Sequence, residues 1–560
     1  MNGSEILMEI LLEQGVDVIF GYPGNAVLHI YDALYKYSSK IRHVTAAHEQ
    51  GAAHAADGYA RLTGRTGVVL ATSGPGATNL VTGIAAAYMD SVPMVAITGN
   101  VSTTLIGKDS FQEVYIAGIT MPVTKHNFVV RRVEDLAPTL RAAFAIAQQG
   151  RKGPVLVDIP KDVSASAMRT DYSAVPQPPQ ASYNDAGEHD ILHAAQMINA
   201  AQRPFVYFGG GVSSSDAGDA LRALCAKADI PAAHTLMAAG VLGCDEAHNL
   251  GLIGMHGRAT ANRAVEGCDL LLIAGARCSD RVALNPSAFA PQARKIQIDI
   301  DPAEFHKNVP VDCALAGDAK AILEQLLPLV RPASRPAWRE QIRAWQAEDY
   351  RPKDDAAQLK PHQVMRAISA LAGKDAVYVT DVGQHQLWAA QYCRHLRPRS
   401  FLTSGGLGAM GFGYGAAIGA SFGLPGGFGS RPVVHITGDG SFHMNLNEAC
   451  TAVSYGVPVI TVIMNNRALG MVRQWQEACF GGRYSETEPA RRTDFTLLAA
   501  GFGLPAFRCA NLAEFEEAFI KALAIAKGEN PGPVWIECLI DRDEKVLPMM
   551  GATCISGCGE

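Results

Sequence analysis

The chain has 560 residues, of which 48% are hydrophobic, and 48 basic side chains stand against 54 acidic ones, so the formal net charge is −6. At roughly 150 residues per domain, this length predicts three or four domains with sizeable buried cores, which excludes a disordered protein. A slightly acidic chain without blocks of Lys or Arg lacks the positive surface of a nucleic-acid-binding protein, so we expect no nucleic-acid partner.

Short β-branched runs that end in glycine, each followed by a helical stretch, recur along the chain. This pattern is typical of parallel βα units and predicts an α/β fold. Two Pro-rich or charge-rich stretches, at 168–187 and 331–361, interrupt the pattern. We therefore expect domains at residues 1–167, 188–330 and 361–560, each within the usual size of a domain.

The first and third predicted domains begin alike. Helical patterns over Ile6–Gly15 and Val364–Gly373 each end in glycine, and short apolar strands follow them at Val16–Phe20 and Ala376–Thr380. Such a likeness also arises by chance among βα proteins, so it leaves open whether the two domains share a duplicated fold.

The predicted middle domain contains glycine-rich turns next to apolar strands. Close backbone approach at such turns, with an acidic strand end, is what dinucleotide sites require. The candidate residues are Gly209, Gly210, Gly211, Met255, His256, Asp299 and Asp318. Glycine-rich turns are common, so these motifs alone indicate only a Rossmann-like domain.

The most informative segment is 433–471. A predicted strand over Val433–Thr437 leads to Asp439, and a second over Val459–Met464 leads to Asn466. Both side chains thus follow the carboxyl ends of parallel strands, where open α/β sheets bind ligands. One carboxylate and one amide oxygen suit Mg²⁺, which takes its other ligands from water and phosphate oxygens.

Glycines around Asp439 favour a phosphate ligand beside the metal. Gly438 and Gly440 allow the backbone to come close to a diphosphate, and Ser441 follows them. A helix is predicted over about Leu446–Tyr455, and its first N–H groups would face the negative charge. Gly-Asp-Gly by itself would usually be an ordinary turn, so the flanking strands and the later Asn-Asn carry the argument.

Zinc binding and membrane insertion are disfavoured. The 12 cysteines are scattered, and the one close pair, Cys554 and Cys558, has no second pair to complete a zinc site. No run of about 18 residues is free of charges or strong helix breakers, so we expect no membrane partner. We predict reduced thiols and a cytoplasmic protein.

Gly-Asp-Gly, followed at this interval by Asn-Asn, resembles the shared motif of the thiamine diphosphate enzymes. The resemblance implies that Asp439, Asn466 and the main-chain oxygen of Ala468 hold Mg²⁺, which in turn holds the diphosphate. It implies further phosphate contacts from Gly383, Gln384 and His385. The implied fold has three doubly wound parallel-sheet α/β domains, with the first and third similar and the middle one Rossmann-like.

The same resemblance implies how the cofactor is activated. A carboxylate bound to the far pyrimidine nitrogen makes the cofactor's own amino group a base. Glu49 matches that glutamate, although alone it would be an ordinary first-turn residue favoured by the helix dipole. Met410 matches the apolar residue between the two cofactor rings, and Gly408 matches a carbonyl that binds the amino group. In this family two chains supply opposite ends of one cofactor, which implies a homodimer or homotetramer.

Five segments resemble the catalytic subunits of the acetolactate synthases, and this resemblance covers nearly the whole chain. They are Ser73–Gly83, Leu105–Glu113, Val157–Val163, Gly254–Gly257 and Leu469–Trp475. The implied reaction decarboxylates pyruvate on thiamine diphosphate and condenses the hydroxyethyl carbanion with pyruvate or 2-ketobutyrate. The products would be 2-acetolactate or 2-aceto-2-hydroxybutyrate, for branched-chain amino acid biosynthesis, and a small regulatory subunit would be a further partner.

The resemblance also implies roles at the substrate. Arg277 matches the residue that binds the acceptor's carboxylate, which a planar guanidinium suits better than an ammonium. Trp475 matches an aromatic that favours an acceptor with one more methylene, a preference of only about 1–3 kcal/mol. Without the resemblance, Arg277 would be a surface ion pair and Trp475 simply buried. The implied residues of the substrate channel are Phe111, Gln112, Lys161 and Met255.

In acetolactate synthases the middle domain binds FAD although the net reaction transfers no electrons, so a structural flavin is implied. This chain departs from the family pattern at four places. They are Cys278-Ser279 instead of Phe-Asp, Asn25 instead of glycine, Asn100 instead of glutamine, and a short, Cys-containing tail after Met550. These changes leave the flavin affinity and the choice of acceptor open.

Three alternatives remain at this point. A flavin-linked pyruvate oxidase would let pyruvate bleach its flavin at the rate of turnover. A glyoxylate carboligase would lack the glutamate that Glu49 supplies. A scaffold that binds the cofactor without catalysis would release no CO₂.

Overall fold

The computed structural model describes residues 1–168 and 186–549. Within them, 18 strands form three sheets of six, and the strand pairs are parallel. The first sheet contains β1 Val18–Gly21, β2 Arg42–Thr45, β3 Gly67–Ala71, β4 Met94–Asn100, β5 His126–Val129 and β6 Pro154–Pro160. The middle sheet contains β7 Pro204–Phe208, β8 Ala232–His234, β9 Asn249–Leu252, β10 Leu270–Ala274, β11 Arg294–Asp299 and β12 Cys313–Ala316. The third sheet contains β13 Val377–Thr380, β14 Phe401–Thr403, β15 Val433–Gly438, β16 Val459–Asn465, β17 Ala506–Cys509 and β18 Val534–Leu539.

The strand order confirms the predicted fold class. The first sheet has the order β2-β1-β3-β4-β6-β5, and the third repeats it as β14-β13-β15-β16-β18-β17. The middle sheet has the order β12-β11-β10-β7-β8-β9, which is the arrangement of a dinucleotide-binding Rossmann fold. The central strands are buried along their whole length, because helices cover both faces of a parallel sheet.

Helices connect the strands and cover the sheets. The first 168 residues contain α1 Gly3–Glu13, α2 Leu28–Lys36, α3 Glu49–Thr63, α4 Pro75–Asn79, α5 Val81–Met89, α6 Ile116–Thr120, α7 Leu136–Gln148 and α8 Lys161–Ala165. Around the middle sheet lie α9 Glu188–Ala200, α10 Gly210–Ser214, α11 Gly218–Ala228, α12 Ala259–Gly267, α13 Ala319–Leu329 and α14 Pro336–Ala347. The third sheet is covered by α15 Pro361–Ala372, α16 Gln384–Tyr392, α17 Phe412–Phe422, α18 Asp439–Phe442, α19 Glu448–Ser454, α20 Gly470–Phe480, α21 Phe495–Phe502 and α22 Leu512–Lys527.

Helix α14 lies in the charge-rich stretch that the sequence marks as a divider. Trp338 of this helix is buried in the core of the middle sheet and donates its indole N–H to the Pro204 carbonyl at 3.1 Å. The ordered structure around the middle sheet therefore continues past residue 330.

Helices α3 and α17 join the first and third sheets at very short range. A Cβ at Gly58 would overlap the Ala416 carbonyl, and one at Gly419 would overlap the Ala55 carbonyl. Glycine is therefore needed where the two backbones meet. This contact fixes Glu49, the first residue of α3, relative to the third sheet.

A membrane-spanning helix would need a long apolar run. Across residues 1–168 and 186–549, none of the helices is long and apolar enough to cross a bilayer.

Candidate active site

Asp439 and Asn466 lie next to each other, as the sequence predicts. Strands β15 and β16 are neighbours, with Gly438 level with Met464, so the residues that follow the two strands meet at one edge of the sheet. The Asn466 main-chain N–H is among the nearby groups that act to lower the pKa of the Asp439 carboxyl. Both side chains are buried.

The burial of Asp439 favours a cation beside it. Loss of solvent raises the pKa of this carboxyl to about 6, against the hydrogen bonds of nearby main-chain N–H groups. Asn466 Oδ1 accepts from the Ala468 N–H at 3.1 Å, and Arg467 between them has a left-handed φ of 55°. This tight turn brings the Ala468 backbone against the Asn466 side chain.

The donor set is rich in oxygen and poor in nitrogen and sulfur. The described part of the chain contains no cluster of three or more His, Cys, Asp and Glu side chains suited to a metal. One carboxylate, one amide and one carbonyl oxygen fit Mg²⁺ in the company of water and phosphate oxygens.

His385 faces the same strand end. A Cβ at Gly438 would lie 2.9 Å from His385 Nδ1, and a Cβ at Gly383 would lie 2.9 Å from its Cε1. Its Nε2 is buried and has no hydrogen-bond partner among the described residues. Burial lowers the pKa of His385 to about 4. An unpaired buried nitrogen is costly in a folded protein, and a phosphate oxygen would satisfy it.

The side chain of Gln384 lies against Asn466 and is not free to bind a phosphate, which differs from the prediction. Its Oε1 accepts from Asn466 Nδ2 at 3.2 Å, and its Nε2 donates to Gln474 Oε1 at 3.0 Å and to the Glu544 carbonyl at 2.8 Å. The amide of Gln384 therefore orients Asn466.

The loop after β14 approaches the residues that follow β15. Ser441 Oγ accepts from the Gly411 N–H at 3.1 Å, and a Cβ at Gly440 would lie 4.0 Å from Met410 Cε. Gly408 is exposed and has a left-handed φ of 71°. The loop thus holds Met410 beside the residues that follow β15.

Charged residues of α3 and of the end of α5 anchor this loop. Asp90 accepts from the main-chain N–H groups of Gly405 at 3.0 Å and Gly406 at 2.7 Å. Arg61 bonds Asp90 at 2.8 Å, the Thr403 carbonyl at 3.0 Å and the buried Asp57. A buried arginine paired with two aspartates therefore ties the loop to α3.

A cavity of about 960 Å³ lies among the three sheets. It brings together many of the predicted flavin and substrate residues with part of the predicted thiamine site. The predicted residues that line it are Gly209, Gly210, Gly211, Met255, His256, Arg277, Asp299, Asp318, Gly383, Gly408 and Trp475.

The flavin candidates have different local environments. Gly211 packs on the Gly275 backbone, where an added Cβ would come within 2.7 Å of Gly275 Cα. Asp318 Oδ1 accepts from the first N–H groups of α13 at 2.9 and 3.1 Å. Burial raises the pKa of Asp299 to about 6. The main-chain carbonyls on either side of Met255 already have hydrogen-bond partners. Gln391 Nε2 donates to the His256 carbonyl at 2.8 Å, and Asn262 Nδ2 donates to the Gly254 carbonyl at 2.9 Å.

Arg277 and Trp475 face the cavity. The Arg277 carbonyl accepts from the Tyr207 hydroxyl at 2.8 Å, while its guanidinium has no hydrogen bond or ion pair within residues 1–168 and 186–549. Trp475, on α20, is half-buried. An unpaired guanidinium and an aromatic ring that line the same cavity fit a small carboxylate with an apolar end.

Four of the residues predicted to activate the cofactor or to contact the substrate lie outside this lining. Glu49 begins α3, half-buried, and its Oε2 accepts from Asn79 Nδ2 at 2.9 Å. Lys161 Nζ donates to Asn25 Oδ1 at 2.9 Å. Phe111 is 84% exposed, and Gln112 has a left-handed φ of 59°. Within one chain, the structure does not bring these residues into the cavity.

Two residues that sequence reasoning missed contact Glu49 or the residue before it. Asn79 contacts its carboxylate directly, and Glu448 accepts from the main-chain N–H of His48 at 3.1 Å, one residue before it. Asn79 lies in a segment that resembles the family, so a signal existed for it. Glu448 is 400 residues away in sequence, and only the packing of the domains reveals it.

Comparison with family models matches all three parts of the chain. Residues 1–119 match the thiamine pyrophosphate enzyme N-terminal TPP binding domain, residues 191–326 the central domain, and residues 381–538 the C-terminal TPP binding domain. An acetolactate synthase from Mycobacterium bovis is 45% identical over 99% of this chain and 90% of its own length. The chain belongs to the acetolactate synthase family of thiamine diphosphate enzymes.

Two relatives from Escherichia coli K12 agree with this assignment. The acetolactate synthase isozyme 3 large subunit is 41% identical over 98% of this chain and 96% of its own. The isozyme 2 large subunit is 43% identical over 98% of this chain and 97% of its own. The chain is thus an enzyme with acetolactate synthase function in branched-chain amino acid biosynthesis, and thiamine diphosphate is its cofactor, as the sequence predicts.

Proposed function

We propose that this chain makes 2-acetolactate from two molecules of pyruvate, and 2-aceto-2-hydroxybutyrate from pyruvate and 2-ketobutyrate, at sites formed between two copies. The observation that carries the proposal is the meeting of Asp439, Asn466 and Ala468 beside the unpartnered buried nitrogen of His385. Three domains, at residues 1–167, 188–330 and 361–560, divide the work.

The third domain would hold the diphosphate. Asp439, Asn466 and the Ala468 carbonyl would bind Mg²⁺, with His385 donating to a phosphate oxygen. Once bound, thiamine diphosphate supplies a carbon acid that attacks a keto group and a ring that accepts the electrons released with CO₂. Met410 would contact the cofactor between its two rings.

The first domain would activate the cofactor from the other end. Glu49 would accept a hydrogen bond from the pyrimidine nitrogen and hold a proton there, while Asn79 keeps its carboxylate in place. A carboxylate in a fixed position at a half-buried helix start is suited to this task, because it needs no rearrangement when the ring arrives.

The cavity side of the site would bind the acceptor. Arg277 would pair with its carboxylate, and Trp475 would contact its alkyl end. Since one methylene is worth only about 1–3 kcal/mol in an apolar pocket, both pyruvate and 2-ketobutyrate would be accepted. Phe111, Gln112, Lys161 and Met255 would line the approach.

The large cavity beside the middle sheet would hold FAD in a structural role. Its Rossmann strand order and the glycines at the end of β7 support a dinucleotide there. The residues that would contact it are Gly209, Gly210, Gly211, Met255, His256, Asp299 and Asp318.

A second copy would complete each active site. Apolar side chains near Gln112 are exposed, with Tyr115 at 70% and Met121 at 62%. On the third domain, Phe480 at the end of α20 is 55% exposed. Exposed apolar surface of this kind marks an interface, and pairing the two surfaces would bring Glu49 of one chain to Asp439 of another.

A small regulatory subunit would be a further partner, because several relatives are named large subunits. The scattered cysteines support a cytoplasmic location.

The proposal is tested with Glu49→Gln. We expect calorimetry to give an unchanged Kd for thiamine diphosphate with Mg²⁺, and acetolactate formation to fall about 100-fold or more, because the carboxylate that makes the cofactor's amino group a base is lost. Acetolactate is measured as acetoin after acid treatment. Unchanged turnover would remove Glu49 from its role, and bleaching of bound FAD by pyruvate at the rate of turnover would contradict a structural flavin.

A further inference from the structure

Glu448 is buried under the start of α3, although it belongs to the third domain. Its Oε1 accepts from the His48 N–H at 3.1 Å and its Oε2 from the Ala47 N–H at 3.2 Å. Thr451 Oγ1 donates to Oε2 at 2.7 Å. The carboxylate is 1% exposed, and all three of these partners are neutral donors.

Gly51 makes room for this carboxylate. A Cβ at Gly51 would overlap Glu448 Oε1 and would come within 2.8 Å of its Cγ. Glycine in the first turn of a helix costs stability relative to alanine. Glycine at position 51 therefore allows the Glu448 carboxylate to reach the start of α3, and a larger residue there would displace the carboxylate.

Tyr455 adds a second hold on the same segment. Its hydroxyl accepts from the Thr45 N–H at 2.8 Å. Glu448 and Tyr455 lie at the two ends of α19. One helix of the third domain therefore accepts hydrogen bonds from the N–H groups on both sides of Ala46. The segment that links β2 to α3 is thus fixed by another domain.

We infer that Glu448 is a positioning residue for Glu49, acting by fixing the backbone directly before it. This inference rests on the proposed function of Glu49. The N–H groups at a helix start have no partner within the helix, and a buried carboxylate binds them more strongly than a neutral acceptor would. If these bonds are lost, residues 47 and 48 relax and the Glu49 carboxylate shifts relative to the pyrimidine nitrogen.

The test is Glu448→Gln, which keeps the size of the side chain but places an NH₂ group against donors. The readout is the rate at which the C2 proton of bound thiamine diphosphate exchanges with deuterium, measured by quenched-flow NMR. We expect exchange and kcat to fall about 10- to 100-fold, because a small misplacement is costly at an active site. The pyruvate KM and the Kd for thiamine diphosphate with Mg²⁺ should stay unchanged.

Gly51→Ala is the reciprocal variant. It leaves Glu448 intact but pushes it away, and it improves the intrinsic stability of α3, so slower exchange cannot be attributed to a weaker helix. Glu246→Gln is the matched control, because Glu246 Oε1 also accepts a main-chain N–H, from Gly243 at 2.7 Å, in the middle domain. It should leave exchange unchanged.

A double-variant cycle separates this inference from the proposed function. If Glu448 acts through Glu49, then Glu448→Gln should slow exchange by less than about twofold in a Glu49→Gln background. Full additivity, or a parallel loss of cofactor affinity and KM, would overturn the positioning role. Unchanged exchange in Glu49→Gln alone would instead overturn the proposed function of Glu49.

Discussion

Asn100 shows how a single departure from the family pattern can have a structural reason. Its Nδ2 donates to Asp158 Oδ2 at 2.6 Å, and Thr98 Oγ1 donates to Oδ1 at 2.7 Å. Asp158 is buried within β6, shortly before Lys161. Burial raises the pKa of Asp158 to about 6, although the two hydrogen bonds act to lower it. This carboxylate therefore opposes folding when it is ionised.

The variant Asp158→Asn should reveal this cost as a dependence on pH. The folded protein binds the proton more tightly than the unfolded chain, so raising the pH from about 4 to above 6 destabilises the wild type relative to the variant. The full effect is on the order of 3 kcal/mol for a shift of about two pKa units. The measurement is the difference between the two thermal midpoints across this pH range.

An exposed aspartate provides the control for that experiment. Asp32 pairs with Lys36 on the surface and is 67% exposed, so Asp32→Asn should show no comparable trend. A constant difference between wild type and Asp158→Asn at all pH values would contradict the effect of burial.

The sequence predicts some site residues better than others for physical reasons. Asp439 and Asn466 could be placed together because each follows a strand of strong local pattern, and neighbouring parallel strands end at one edge. The role of Gln384 could not be predicted, because its partners Asn466, Gln474 and Glu544 come from distant segments. Contacts between domains have no local signature in a single sequence.

At the scale of elements, the position of α3, which begins at Glu49, is determined by its backbone contact with α17. Helices α3 and α17 approach so closely that Gly58 lies on the Ala416 carbonyl. The predicted elements are close to the observed ones, but some of them begin at a different residue. Helix α1 begins at Gly3 and not at Ile6, because Asn2 and Glu5 form a capping box.

Gly58→Ala should therefore be harmful in spite of its better helix propensity. Overpacking typically costs about 1–3 kcal/mol, so we expect a lower thermal midpoint together with slower acetolactate formation, because α3 shifts. Gly501→Ala is the matched change, since Gly501 lies in α21 with no atom within 4 Å of its added Cβ. It should be neutral or slightly stabilising. Equal behaviour of the two variants would show that the close contact between helices is not limiting.

At the scale of the whole molecule, one chain does not bring the predicted halves of the active site into one cavity. The cavity contains Gly383, Gly408 and Trp475 but not Glu49, and apolar side chains around Phe111 are exposed. A twofold dimer would use each chain twice, once for its first domain and once for its third.

Two inactive variants should therefore restore activity when they are combined. Glu49→Gln and Asp439→Asn, co-expressed with different tags, would form a mixed dimer with one doubly damaged site and one intact site. Random pairing of symmetric dimers predicts recovery of about a quarter of the wild-type activity. Each variant expressed alone is the control. A site built within one chain would give no recovery, because every chain has a lesion.

The repeated strand order of the first and third sheets places different tasks at equivalent positions. In the third sheet, the chain that follows β15 begins with Asp439, and in the first sheet the chain that follows the equivalent strand β3 contains Asn79, which donates to Glu49. One copy of the arrangement would thus supply an oxygen ligand for a cation, and the other orients an acidic side chain. The proposed catalytic centre would draw on the same edge of two sheets with one strand order.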